Sequence, residues 1–210
     1  MSGSPARRTR GGCTAFDGSR RVAHGPLAAV VAAAKAAFDR SRTSAVLIFE
    51  DATGEVVDVD YSGTPAEVLD GVAAREAFRA RMASADDGDG SPRGPGRPRL
   101  GVVAREVTLL PRHWQWLSGQ PGGASVALRK LVDEARRTSV GRDRVRRAQE
   151  VAYRVMVALA GDRPGFEEAI RALFAGDAAR FTEQTRAWPP HVRAYTRQLA
   201  APALDSADDA

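Results

Sequence analysis

Cysteine is almost absent from these 210 residues: Cys13 stands alone, so no disulfide can close within the chain and no thiolate cluster can hold a metal. That scarcity suits a reducing, cytoplasmic setting. Long apolar runs are missing as well. The stretch most like a signal segment, residues 27–38, is short and interrupted by Lys35, and nothing approaches the ~20 apolar residues of a membrane span. Histidine occurs three times, as His24, His113 and His191, scattered among different predicted elements. No Gly-x-Ser-x-Gly, P-loop, dinucleotide fingerprint or His-Glu-x-x-His motif occurs. Asp86, Asp87 and Asp89 lack the spacing and terminal Glu of a calcium loop, and Glu50-Asp51 reads as turn chemistry at a strand end. The sequence therefore offers no catalytic constellation, no metal site and no cofactor, and it leaves any small-molecule ligand open.

Lysine is scarce too: only Lys35 and Lys130 accompany the arginines. An Arg-for-Lys skew in an Ala- and Gly-rich chain follows from GC-rich codon usage, so the net charge of +5 carries little meaning by itself. Its distribution carries more. Residues 1–90 hold 11 basic and 13 acidic side chains, whereas residues 91–147 hold 13 basic and 4 acidic, a net of +9. Codon bias acts on the whole gene and does not produce such a focus. A focused positive patch attracts polyanions by steering and counterion release.

Local patterns predict an α+β chain that begins with a small ββαββα domain. Residues 14–16 and 20–23 form two short strands joined by Asp17-Gly18, a strong hairpin signal. Pro26 opens a helix to Arg40 with Leu27, Val30, Val31 and Phe38 among its apolar positions. Residues 45–49 suit a buried strand, Asp51 to Gly54 a turn, and residues 55–61 an alternating partner strand. Thr64-Pro-Ala-Glu67 is a capping box with Pro at the first helical position, starting a helix to about Met82. The predicted divisions are a disordered tail at 1–12, this domain at 13–83, a Pro/Gly/Arg linker at 84–99, a strand-and-helix domain at 100–201 and a disordered tail at 202–210. A helical bundle fills the C-terminal part: helices are expected at 142–160, from Pro164 to Gly176, from the cap Asp177 through Phe181 and Trp188, and from Pro189-Pro190 onward.

Residues 100–137 are the informative segment. A strand at 102–110 is followed by a helix at 111–119, a Pro-Gly-Gly turn, and a helix at 124–137 with Ala127, Leu128, Leu131, Val132 and Ala135 as an apolar stripe. The residues Glu106-Val-Thr-Leu-Leu-Pro-Arg-His-Trp-Gln-Trp-Leu117 and Gly122-Gly-Ala-Ser-Val-Ala-Leu-Arg-Lys-Leu-Val132 resemble the ribbon-helix-helix family of homodimeric DNA-binding proteins. The resemblance implies a two-stranded ribbon, one strand from each chain, inserted in the major groove. It places Val107, Leu109, Trp114, Leu117, Leu128, Leu131 and Val132 in a dimer core, and Glu106 and Thr108 on the base-reading face. A register slip by one turns Arg105 to that face instead. Phosphate contacts would come from Arg112, Arg129 and Lys130 and from the helix start at Ala124 and Ser125.

Just upstream, Arg93-Gly-Pro-Gly-Arg-Pro-Arg99 resembles an AT-hook, in which Arg93, Arg97 and Arg99 form a minor-groove arm; the alternative is a plain basic linker. Thr14-Ala-Phe, Gly25-Pro-Leu, Val46 to Gly54, Gly101 to Trp114 and Gly165-Phe-Glu-Glu make the whole chain similar to an uncharacterised bacterial family, a resemblance that implies bacterial origin and no particular activity. The expected function is that of a homodimeric DNA-binding transcriptional regulator whose N-terminal domain senses, oligomerises or recruits. The rival reading is a protein–protein interaction module without DNA contact.

Overall fold

The computed structural model describes residues 11–41, 45–86 and 106–205, with residues 83–86 described in their backbone only. The fold is α+β. β1 (Cys13–Asp17) and β2 (Arg20–Gly25) form the expected hairpin, α1 spans Leu27–Arg40, and β3 (Val46–Glu50) completes an antiparallel sheet of order β2-β1-β3. Helices follow: α2 (Pro65–Asp86), α3 (Pro111–Ser118), α4 (Gly123–Ala160), α5 (Phe166–Ala175), α6 (Ala178–Gln184) and α7 (Pro190–Leu204). None of the described helices is long and apolar enough to cross a membrane.

Period-2 alternation gives the sheet two apolar faces. Cys13, Ala15, Val46 and Ile48 are buried in one cluster with Val30, Val31, Ala34 and Ala37 of α1 and with Val68 and Val72 of α2. Phe16 and Phe49 face the other way, into a larger cluster with Ala152, Val155 and Met156 of α4, Leu173 of α5, Phe181 of α6 and Tyr195 of α7. Lys35, which interrupts the apolar run of α1, is buried there because Asp39 one turn on takes its ammonium at 2.5 Å.

Several local signals act as read. Thr64 and Glu67 exchange the bonds of the capping box: the Thr64 N–H donates to Glu67 Oε2 at 2.7 Å, and the Glu67 N–H donates to Thr64 Oγ1 at 3.3 Å. The Thr64 N–H and the Thr64 hydroxyl, both donating to Glu67 Oε2, hold the Glu67 carboxyl below its usual range. Asp177 caps α6 by accepting from the Arg180 N–H, and Gly176 ends α5 in the left-handed conformation.

Other expectations are corrected. Residues 55–61 are not a strand: one bridge joins Phe49 and Val56, after which Asp58 and Asp60, poor strand formers, stay exposed. The two helices expected at 124–137 and 142–160 are one, since Gly141 costs only ~1 kcal/mol in a helix and Arg- and Ala-rich turns flank it. Of the strand expected at 102–110, residues 106–110 are neither strand nor helix; a ribbon built from two chains finds no ladder partner in one. Residues 102–105 lie outside the described residues. α2 runs on through 84–86, where the linker was expected, and residues 87–99 lie outside the described set. Gly12, assigned to the N-terminal tail, accepts the Asp51 N–H at 2.9 Å; residues 1–10 lie outside. α7 continues past Pro202 to bury Ala203 and Leu204. Trp188 follows α6 rather than lying within it, buried with its indole N–H on the Pro164 carbonyl at 3.0 Å.

The largest difference concerns domains. The chain divides into a first unit of residues 1–74 and 142–210 and a second of residues 75–141, not at a linker near residue 90. The C-terminal helices return to cover the second face of the sheet, because Phe16 and Phe49 need an apolar cover that the N-terminal segment does not supply.

Two predictions follow from this packing. Gly54 has φ +68, and a Cβ there would lie 2.6 Å from the Val151 carbonyl oxygen of α4, whereas Gly18 has φ +56 and open space. Gly54→Ala should therefore cost roughly 2–4 kcal/mol in urea unfolding and Gly18→Ala only about 1; equal losses would contradict the packing of the turn on α4. Tyr61 stacks on Phe38 at 5.1 Å, and burial pushes its phenol up to about 12. The fold thus holds the neutral phenol. This stability is complete below the ordinary tyrosine pKa of about 10 and is lost as pH rises toward about 12. Tyrosinate absorbance followed in wild type and Tyr61→Phe checks it: the step near pH 12 should vanish in the variant.

Candidate nucleic-acid interface

The two units differ in charge as well as in packing. Residues 75–141 carry twelve Arg/Lys against seven Asp/Glu, whereas the first unit carries nineteen of each. The net +5 of the chain therefore belongs entirely to the second unit.

The same unit has little core of its own. Among its described residues the buried apolar side chains are Leu117 and Ala127. Of the thirteen exposed large hydrophobic residues described, nine belong to these 67 positions. They are Phe78 and Met82 on α2, Val107 and Leu110 before α3, Trp114 and Trp116 on α3, and Leu131, Val132 and Val140 on α4.

The predicted site residues distribute as follows. Pro111 stands at the start of α3, after an extended Leu110. Gly122 and Gly123, at φ +85 and +77, make the turn into α4, which starts at Gly123 rather than Ala124. Glu106 and Thr108 are exposed, as are Arg112, Ser125, Arg129 and Lys130; Ala124 is half-buried. The Arg129 Nε donates to the Ser125 carbonyl at 3.0 Å, which lays the guanidinium along the first turn of α4. Arg137 is occupied by Glu134 at 2.5 Å. Of the expected dimer core, Leu117 is buried and Leu109 and Leu128 are half-buried, while Val107, Trp114, Leu131 and Val132 are exposed in the single chain. Arg93, Arg97, Arg99 and Arg105 lie outside the described residues.

One cluster was read from sequence only as a turn. In the first unit Asp51, at the end of β3, accepts the hydroxyls of Thr14 at 2.8 Å and Tyr195 at 2.7 Å on Oδ1. Its Oδ2 lies 3.3 Å from Nδ1 of His24. Strand register sets Thr14 opposite both His24 and Phe49, so these side chains share the face on which α7 packs. Burial and the Asp51 carboxylate push the Tyr195 phenol well above its ordinary range. The Arg154 guanidinium holds the same turn through the Thr53 carbonyl at 2.7 Å. Thr14, Tyr195 and this turn are far apart in sequence, and no local pattern could have joined them. The chemistry of the cluster is a carboxylate that accepts two buried hydroxyls and so pins α7 to the end of the sheet.

An α+β chain with a charge-balanced, well-cored unit and a basic one with little core among its described residues is the class of protein defined by this geometry. Residues 12–200 match the family described as an uncharacterized protein conserved in bacteria (DUF2239), and the chain belongs to that family. No curated protein and no solved structure matches it.

The Asp51 cluster yields a measurable coupling. Tyr195→Phe removes one bond to a carboxylate and should cost roughly 1.5–3 kcal/mol. Asp51→Ala should cost more, because two buried hydroxyls lose their acceptor. In a double-mutant cycle by urea unfolding the pair should fall short of additivity by about 1 kcal/mol or more; strict additivity would mean that the bond contributes nothing.

Proposed function

We propose that this chain is a homodimeric DNA-binding protein acting in bacterial transcription regulation, with residues 75–141 as the DNA-contacting unit. The observation that carries the reading is the confinement of the entire net positive charge to the unit with the least core. A surface kept for folding alone has no reason to concentrate cations; a polyanion gives one. The order of an extended segment, α3, a Gly-Gly turn and α4 supports a ribbon-helix-helix arrangement. In it Glu106 and Thr108 read base edges, and Arg112, Arg129 and Lys130 hold phosphates beside the first turn of α4. Glu106 is the one acidic group on this face; it accepts from cytosine N4 and rejects sites that offer no donor there. Val107, Trp114, Leu131 and Val132 are exposed in the single chain, as dimer-core residues must be before association.

Fluorescence anisotropy of labelled duplexes across a salt series tests the reading. Neutralising roughly six phosphates gives a log–log salt slope near −5, and Arg112→Ala and Arg129→Ala each reduce its magnitude by about one. Arg20→Ala, in the charge-balanced unit, should leave it unchanged. Flat anisotropy at low salt would overturn DNA binding and favour a protein–protein module.

A further inference from the structure

Resting on the homodimer of the preceding reading, we propose that the second half of α2 belongs to the self-association surface, with Phe78 and Met82 docking on a second copy of the chain. α2 leaves its first-unit cover after Val72, the last of its residues in the sheet cluster. It then continues to Asp86. Phe78 and Met82 lie one turn apart on one face of that continuation, and both are exposed. Arg75, Arg79 and Arg81 surround them, giving an apolar centre with a polar rim, the usual anatomy of an association surface.

The amount of unsatisfied surface indicates the occupant. Fractional exposures of 42–64% over nine large apolar side chains, at roughly 150–250 Å² for the larger residues, come to on the order of 900 Å² per chain. A stable interface needs about 800 Å² from each partner. Residues 106–132 alone supply only part of that total, and Phe78 and Met82 supply a substantial share of the rest. A second copy presents the same area at equal concentration, so the requirement is met symmetrically. A basic apolar surface duplicated about a two-fold axis also doubles the positive charge offered to a DNA duplex, consistent with the rim of arginines.

Sedimentation velocity on the full chain tests this. The wild type should sediment as a dimer. Phe78→Glu with Met82→Glu should raise the dimer dissociation constant by roughly hundredfold or more, and Phe78→Ala with Met82→Ala, which favours the helix, by roughly tenfold. Hydrogen-exchange protection of β1–β3 and α5–α7 should remain that of the wild type, because Phe78 and Met82 belong to neither buried cluster of the first unit. A monomeric wild type, its apolar face covered by its own residues 87–105 or left bare, would overturn the proposal, as would a double variant that dimerises like wild type. A dimer that weakens as stated yet shows no salt-dependent duplex binding would support this interface while removing the DNA reading.

Discussion

A three-stranded sheet with apolar side chains on both faces must be covered twice, and the rest of the structure depends on how this chain meets that demand. α1 and the start of α2 cover one face immediately, close in sequence to the strands they pack on. The other face, with Phe16 and Phe49, waits for Ala152, Val155, Met156 and Tyr195. Each buried Phe contributes about 2–3 kcal/mol, so closure by distant helices is a condition of the sheet's stability. Asp51 fixes the closure, accepting Thr14 from β1 and Tyr195 from α7 on one carboxylate oxygen.

Because residues 142–204 return to the sheet, residues 75–141 are, in chain order, an insertion between the two stretches that make the first unit. That segment is relieved of any part in the main core. It carries the net charge and most of the exposed apolar area instead. The two parts of the chain differ accordingly: the first unit is charge-balanced and well packed, and the second is basic, with few buried side chains among its described residues. Substitutions in the first should act through unfolding; on the proposed dimer reading, those in the second act through association.

What was legible in the sequence is what local chemistry decides. Asp17-Gly18, the Thr64–Glu67 box, Gly176 and Asp177 each specify a turn or a helix end within a few residues, and each appears where its chemistry requires. The α+β class followed from the same signals. What was not legible depends on distant partners or on small energy differences. The helices expected at 124–137 and 142–160 are continuous in α4, because the one glycine between them, Gly141, is too weak a penalty to stop a helix of good formers. The alternation at 55–61 looked like a strand, yet Asp58 and Asp60 leave it with a single bridge. The pairing of Asp51 with Tyr195 spans 144 positions, and Trp188 finds its acceptor 24 positions upstream; periodicity carries no record of either. In the proposed interface, the turn at Gly122-Gly123 and the positions of Arg112, Arg129 and Lys130 came from sequence, whereas Phe78 and Met82 emerged only once their exposure was known.

The central claim is that the first unit holds its own core and the second acquires one by association. Hydrogen exchange read by mass spectrometry at widely separated protein concentrations addresses it directly. Strands β1–β3 and helices α5–α7 should show protection that does not change with concentration. Residues 106–141 should be weakly protected in dilute solution and strongly protected in concentrated solution, since their burial depends on a second chain. Strong, concentration-independent protection of 106–141 would contradict the account, for it would mean that this unit possesses a complete core within one chain.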